Sequence, residues 1–237
     1  MIEINIEFQP GNISAVCRKL LELPEGLRPA GIAIDEVSER SPVSQSELGE
    51  RDWLMQRYPN GSILYSAEGE YHLSYPETGA SSLFGLINND GAARRVFSGM
   101  AGLDIEYGYA CVPEERTHRN RVSAAKRYGT HEAWVGRDYS RYLPGAYWLN
   151  ILSTSLLESL GLDIQDFDGI ARSVELVDGR NYLVELYETS DRWVENVEAV
   201  DRWCVKTEGV FDRREAVAAL DGAEKFLEAS EALNRWR

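Results

Sequence analysis

The chain has 237 residues, 43% of them hydrophobic, with 39 acidic against 25 basic side chains and a formal net charge of −14. That is enough apolar material for a sizeable core, which excludes an intrinsically disordered chain. A field of that sign repels nucleic acid and anionic membranes and attracts basic partners, and no apolar run approaches the ~20 residues needed to cross a bilayer.

In chain order, residues 1–8 alternate apolar and polar, with Ile2, Ile4, Ile6 and Phe8 on one face. That pattern is a strand with one buried and one wet or lightly covered face, not a signal core, so the chain is expected to be cytoplasmic. Pro10-Gly11-Asn12 leads to a helix with Ile13, Val16, Cys17, Leu20 and Leu21 at helical spacing, stopped by Pro24 and Gly26. Residues 31–34 form a second short strand, 35–49 a polar surface loop, and 46–57 a short helix. A hairpin over 62–66 and 70–75 turns at Ala67-Glu68-Gly69. Residues 83–87 form another strand. Asn88-Asn89-Asp90-Gly91 starts a helix with Ala92, Val96 and Met100 on one face, and alternation returns over 103–112 with Ile105, Tyr107, Tyr109 and Cys111 on one side.

Residues 113–141 are the least regular and read as a linker or long insertion, the one place where a single domain over 1–237 would subdivide. The aromatic turn Tyr142-Leu143-Pro144-Gly145-Ala146-Tyr147-Trp148 follows, and the almost unbroken apolar run after it predicts a central helix reaching Leu160-Gly161. Beyond it, Asp178-Gly179 between runs 171–177 and 181–187 predicts a tight hairpin. Ser190 is expected to cap a helix with Trp193, Val197, Val200 and Cys204 on its face and Glu198 paired with Arg202. Asp212 and Glu215 predict a capping box for a last helix using Val217, Leu220, Phe226, Leu227 and Leu233, divided near Asp221-Gly222. Hairpins mixed with helices indicate an α+β fold, mostly antiparallel sheet packed against helices, with two related halves as an open question.

Catalytic chemistry has few starting points. The three histidines, His72, His118 and His131, show neither H-x-H nor H-E-x-x-H spacing, and Cys17, Cys111 and Cys204 lie far apart without C-x-x-C. No metal site and no cofactor are expected, and the cysteines read as reduced thiols. A serine elbow and a phosphate-cradling glycine loop are both missing, so no catalytic residue is assigned. His72 reads as structural, whereas His118 and His131 are expected to be solvated. The basic cluster Arg116, Arg119, Arg121, Lys126 and Arg127 stands in a chain of the wrong sign for nucleic acid and is expected to pair with the protein's own acids or with those of a second copy.

The string Tyr142-Leu143-Pro144-Gly145-Ala146-Tyr147-Trp148-Leu149-Asn150 resembles the P-G-x-Y-W-[LY]-N signature of the immunity protein 52 family, bacterial antidotes to polymorphic and type VI secreted toxins. The resemblance implies a cytoplasmic, non-enzymatic protein whose partner is a cognate toxin or effector protein, often a nuclease domain, blocked at its active site or groove. A nuclease groove is basic, so an acidic inhibitor associates with it quickly. The signature residues are spaced for burial and read as fold determinants. Toxin contacts are therefore expected among acids of the early loops, Asp35, Glu36, Glu39, Glu47 and Glu50, with Trp53 as an anchor. The alternative is an enzyme or small-ligand-binding protein with a carboxylate-lined cleft, and a homodimer is compatible with either.

Overall fold

In the computed structural model, which describes residues 1–76 and 80–236, the first half of the chain follows its sequence pattern except over 41–57, where the expected loop and single helix are replaced by a two-residue strand and two short helices broken at the extended Glu50. The alternating start forms β1 (Ile2–Phe8), and a 3-10 turn at Pro10–Asn12 leads into α1 (Ile13–Glu22), which buries Ile13, Val16, Cys17 and Leu20. Next come β2 (Gly31–Ala33), β3 (Ser41–Pro42), α2 (Gln45–Gly49), α3 (Arg51–Arg57), the hairpin β4 (Gly61–Tyr65) and β5 (Gly69–Ser74), and β6 (Ser81–Ile87). The Asn89 side chain accepts from the Ala92 amide and so starts α4 (Asp90–Met100), whose buried face is Ala92, Ala93, Val96, Phe97 and Met100. β7 (Ile105–Cys111) closes this half.

The second half holds α5 (Pro113–Asn120), the hairpin β8 (Arg121–Lys126) and β9 (Gly129–Trp134), β10 (Leu149–Ser153), α6 (Thr154–Leu160), β11 (Ser173–Val177) and β12 (Asn181–Glu185). Three helices end the chain: α7 (Trp193–Lys206), α8 (Arg213–Gly222) and α9 (Phe226–Leu233). Asp178 and Gly179 both take positive φ, 50° and 66°, as the Asp-Gly hairpin turn requires.

Among the described residues, ten strands make one antiparallel sheet in the order β11-β12-β10-β7-β1-β6-β5-β4-β2-β3, with β8 and β9 as a separate two-stranded ribbon. The fold is α+β. On one side of the β1–β7 pair the first strand meets the next-to-last strand of its half, β6. On the other side β7 meets the next sheet strand in sequence, β10, so the two sides are not built in the same order.

The main correction concerns the stretch expected to be a central helix. Residues 146–148 are irregular, Leu149–Ser153 is the interior strand β10 between β7 and β12, and only Thr154–Leu160 is helical. Every residue of β10 is buried, because both faces of the sheet are covered there. A strand buried on both faces reads as an unbroken apolar run, which periodicity cannot tell from the start of a buried helix. Of the two expected helix ends only the one at Gly161 stands where the sequence put it, because the start lies at Ser153 and not at Pro144-Gly145. The Ser153 hydroxyl accepts from the Leu156 amide at 3.1 Å, and Gly161 closes α6 at φ +68°.

The signature residues hold this region together. Gly145 sits at φ +152°, open only to glycine at low cost, and Pro144 presents its carbonyl to Asn120 Nδ2 at 3.2 Å. Asn120 also donates to the carbonyls of Val135 and Gly136 and accepts from the Tyr147 hydroxyl. Trp148 donates its indole N–H to the Tyr187 carbonyl at 3.1 Å and its amide to Glu115 at 3.3 Å. Asn150 accepts from the Tyr147 amide at 3.1 Å and donates to the Tyr147 carbonyl at 2.8 Å. Beneath them, Glu115 pairs with Arg119 at 3.0 Å and accepts from the Tyr187 hydroxyl at 2.9 Å, all buried. Residues 113–141, expected to be an irregular linker, thus supply α5 and a hairpin. Their short, strongly charged helix has too few apolar residues to show a face, and its buried pair is legible only in three dimensions.

A smaller core forms where the β8–β9 ribbon packs on the last helices, from Val122, Val135, Phe211, Leu220, Leu233 and Trp236 with neighbouring alanines. His131 is buried there rather than solvated, while His118 lies beside Asp201 at 2.9 Å. Phe226 and Leu227, expected in the core, are exposed, because the chain divides at residues 223–225 and α9 restarts with a new face inward. Ser190 donates to Asp90 at 2.7 Å instead of capping α7, and Asp212 accepts from the Arg214 amide without the reciprocal half of a capping box. The Glu198–Arg202 pair is present and exposed, at 3.7 Å.

Candidate functional site

Strand alternation makes the two faces of the sheet unlike. Along β5, β6 and β1, the residues Tyr71, Leu73, Leu83, Ile87, Ile4 and Ile6 are buried; α4 lies against β1 and β6, and α1 packs on α4 in the same core. The opposite face carries Glu70, His72, Ser82, Phe84, Leu86, Asn5 and Glu7, all half-buried. Register places Ile63, His72, Phe84, Asn5 and Tyr109 side by side across five strands. This face has two depressions, which meet at the edge-on contact of His72 with Phe84, ring centroids 5.7 Å apart.

The first depression lies under the acidic loop. Asp35, Glu36, Val37 and Ile34 line it together with Tyr58, Ile63 and His72, and Glu39 lines an adjoining hollow that shares Ile34, Arg57 and Tyr58. Ile34 and Val37 stand in solvent, 64% and 94% exposed. Asp35 accepts from the Val37 and Ser38 amides and from the Ser38 hydroxyl, and the hydroxyl above all holds its carboxyl below the usual range. Glu47 is likewise tied to Ser44 as a capping box, which lowers its pKa. Of the six expected contact residues, the structure leaves Asp35, Glu36, Glu39 and Glu50 exposed and Glu47 half-buried. It draws Trp53 half into the core, edge-on to Tyr58 at 6.0 Å. Ile34 and Val37 did not stand out in the sequence, because a short strand followed by a polar loop gives no sign of which apolar residue lies past the strand's end.

The second depression is a cleft of about 410 Å³ between β6, β1 and β7 and the covering segment that runs from the end of β9 to Tyr147. Its walls are aromatic. Tyr107 stacks on Tyr139 at 6.0 Å, and Tyr109 stacks on Tyr147 at 4.4 Å. Arg116 is fixed by Glu3 at 2.9 Å and lies 4.7 Å over the Trp134 ring. Glu7 accepts from Asn5 at 2.9 Å. Burial pushes its carboxyl above the usual range, with Glu106 acting the same way and Asn5 and Arg137 opposing. The buried Tyr107 hydroxyl has no hydrogen-bond partner among the described residues. This is a tyrosine-lined cleft with one carboxylate, not the carboxylate-lined cleft of the alternative reading. Its signal was present in the sequence as the polar positions of β1 and the paired tyrosines of β7, which alternation assigns to one face each.

Among the described residues no helix is long and apolar enough to cross a membrane, and no three His, Cys, Asp or Glu side chains gather into a metal-binding group. No family model and no curated protein matches the chain, so the family resemblance rests on the signature residues alone. Among solved structures, the Pseudomonas aeruginosa T6SS protein PA0821 is similar at a TM-score of 0.49 and 12% identity. That alignment covers 100% of this chain and 73% of the other.

Proposed function

We propose that this chain is a non-enzymatic inhibitor, a cytoplasmic immunity protein that binds a cognate secreted toxin and covers its active site or substrate groove. The target we propose is a nuclease effector of a type VI secretion system. The observation that carries this reading is the loop at residues 34–39, where two exposed aliphatic side chains are flanked by Asp35, Glu36 and Glu39 on a chain of net charge −14. Apolar anchors within a polar rim are the anatomy of a protein interface, and the acidic rim matches the basic surface that a nuclease needs to hold phosphates. The signature string supports the family and supplies no contact, since its side chains are buried.

The test is identification of the neighbouring genes and co-purification of the full chain with any toxin-domain protein they encode, using two surface variants. Val37→Asp removes an anchor, and the double reversal Glu36→Lys/Glu39→Lys inverts the rim. Both are expected to weaken the complex at least about tenfold while leaving the urea midpoint unchanged. A complex indifferent to both changes places the interface elsewhere, and a neighbouring gene of metabolic type with no complex removes the reading.

A further inference from the structure

The tyrosine cleft is not used by the inhibitor reading, yet it has the features of a built site. Two charges of opposite sign line it without touching. Glu7 lies on the floor, and Arg137 is exposed and has no ion-pair partner among the described residues. The two act on each other through space, with no contact within ion-pair distance. Arg116, the other cation of the cleft, is committed to Glu3 and to the Trp134 ring. The Tyr107 side chain is 2% exposed, lines the same cleft and leaves its hydroxyl unpartnered. A buried hydroxyl without a partner costs free energy that a ligand recovers, and a pair of separated charges favours a molecule that presents the complementary pair.

We propose that this cleft binds a small zwitterion, a dipeptide or free amino acid, with its ammonium on Glu7, its carboxylate on Arg137 and an apolar side chain against the aromatic walls. The cleft volume of about 410 Å³ lies in the range of small-molecule sites. The lining explains the choice of class. An anion alone would meet the Glu7 carboxylate, and a cation alone would meet Arg137, whereas a zwitterion satisfies both. Its backbone amide or carboxylate also brings an acceptor within the chemistry of the Tyr107 hydroxyl. The proposal is independent of toxin binding, since the acidic loop occupies the other depression of the face.

Titration calorimetry of the full chain with glycyl-phenylalanine tests it, together with the N-acetylated dipeptide, which lacks the ammonium, and the dipeptide amide, which lacks the carboxylate. The zwitterion is expected to bind saturably, and each blocked form about tenfold more weakly, as for the loss of one charge-assisted contact. Glu7→Gln and Arg137→Gln are each expected to weaken the zwitterion about tenfold. Glu7→Gln leaves the affinity of the N-acetyl form unchanged, and Arg137→Gln leaves that of the amide unchanged. No binding of the zwitterion, equal binding of the blocked forms, or wild-type affinity in either variant overturns the proposal. Arg137 is exposed, so its variant tests the carboxylate contact without disturbing the packed floor of the cleft.

Discussion

Replacing Asn150 with alanine separates two pictures of the signature stretch. On a helix from Ala146 to Leu160, Asn150 would sit on the polar side, and its loss would change stability by no more than about 0.5 kcal/mol. In the structure Asn150 is 1% exposed, and it closes a three-residue loop by accepting from the Tyr147 amide at 3.1 Å and donating to its carbonyl at 2.8 Å. Alanine leaves both Tyr147 backbone groups without these partners in a site closed to water. Each stranded group costs about 1–3 kcal/mol, so the expected loss is about 2–6 kcal/mol. With a urea slope of roughly 2–3 kcal/mol/M for a chain of this size, the midpoint falls by about 1–3 M. Urea unfolding followed by tryptophan fluorescence reads this directly, because Trp148 lies in the same loop. A midpoint within about 0.2 M of wild type refutes the loop closure and the scaffold role assigned to the signature.

Glu115→Gln is expected to cost about 3–5 kcal/mol, because it leaves Arg119 charged and buried beside a neutral amide. The double change Glu115→Gln/Arg119→Met should recover part of that loss in the same urea assay, and additive losses would show that the pair is not coupled. Glu7 carries a pKa raised by burial, so the folded state holds its proton to higher pH than the unfolded chain does. Its contribution is therefore most favourable below the ordinary carboxylate value and is lost as pH rises through the folded pKa. Glu7→Gln should consequently be more stable than wild type at pH 8, with the gap closing as pH falls below about 4. A gap that widens in acid contradicts the direction. Gly136→Ala should destabilise by more than Gly179→Ala. Both positions have φ +66°, but an added Cβ at 136 meets the Phe211 ring, whereas at 179 it meets open space and costs only about 1 kcal/mol of backbone strain. Equal midpoints for the two variants would place the Phe211 ring elsewhere.

Strands with one wet face were legible in the sequence, because alternation survives wherever one side stays open. β1, β5, β6 and β7 and the Asp-Gly hairpin lie where their patterns put them. β10 was not legible, because burial on both faces erases alternation. α5 was hidden for the opposite reason. Its sequence is Pro113 to Asn120 with no large apolar residue, and what it buries is the polar pair Glu115 and Arg119 together with Asn120. The bases expected to pair with the protein's own acids do so in part: Arg116 with Glu3, Arg119 with Glu115, and Arg121 with Glu132. Lys126 instead caps the carbonyls of Asp221 and Ala223. Of the expected contact surface, composition indicated the acids but could not tell Glu36 and Glu39, free in solvent, from Asp35 and Glu47, which are spent on a turn and a cap. The tyrosine cleft is assembled from four separate stretches of chain, and no spacing rule joins them.

The most direct test of the inhibitor reading is the association rate of the full chain with a candidate toxin domain taken from the neighbouring genes, measured by stopped flow across ionic strength. Steering by a chain of net charge −14 predicts that the rate constant falls by about tenfold or more between low salt and ~0.5 M, while the dissociation rate changes little. A rate constant flat across that range, or no complex at any salt concentration, contradicts it.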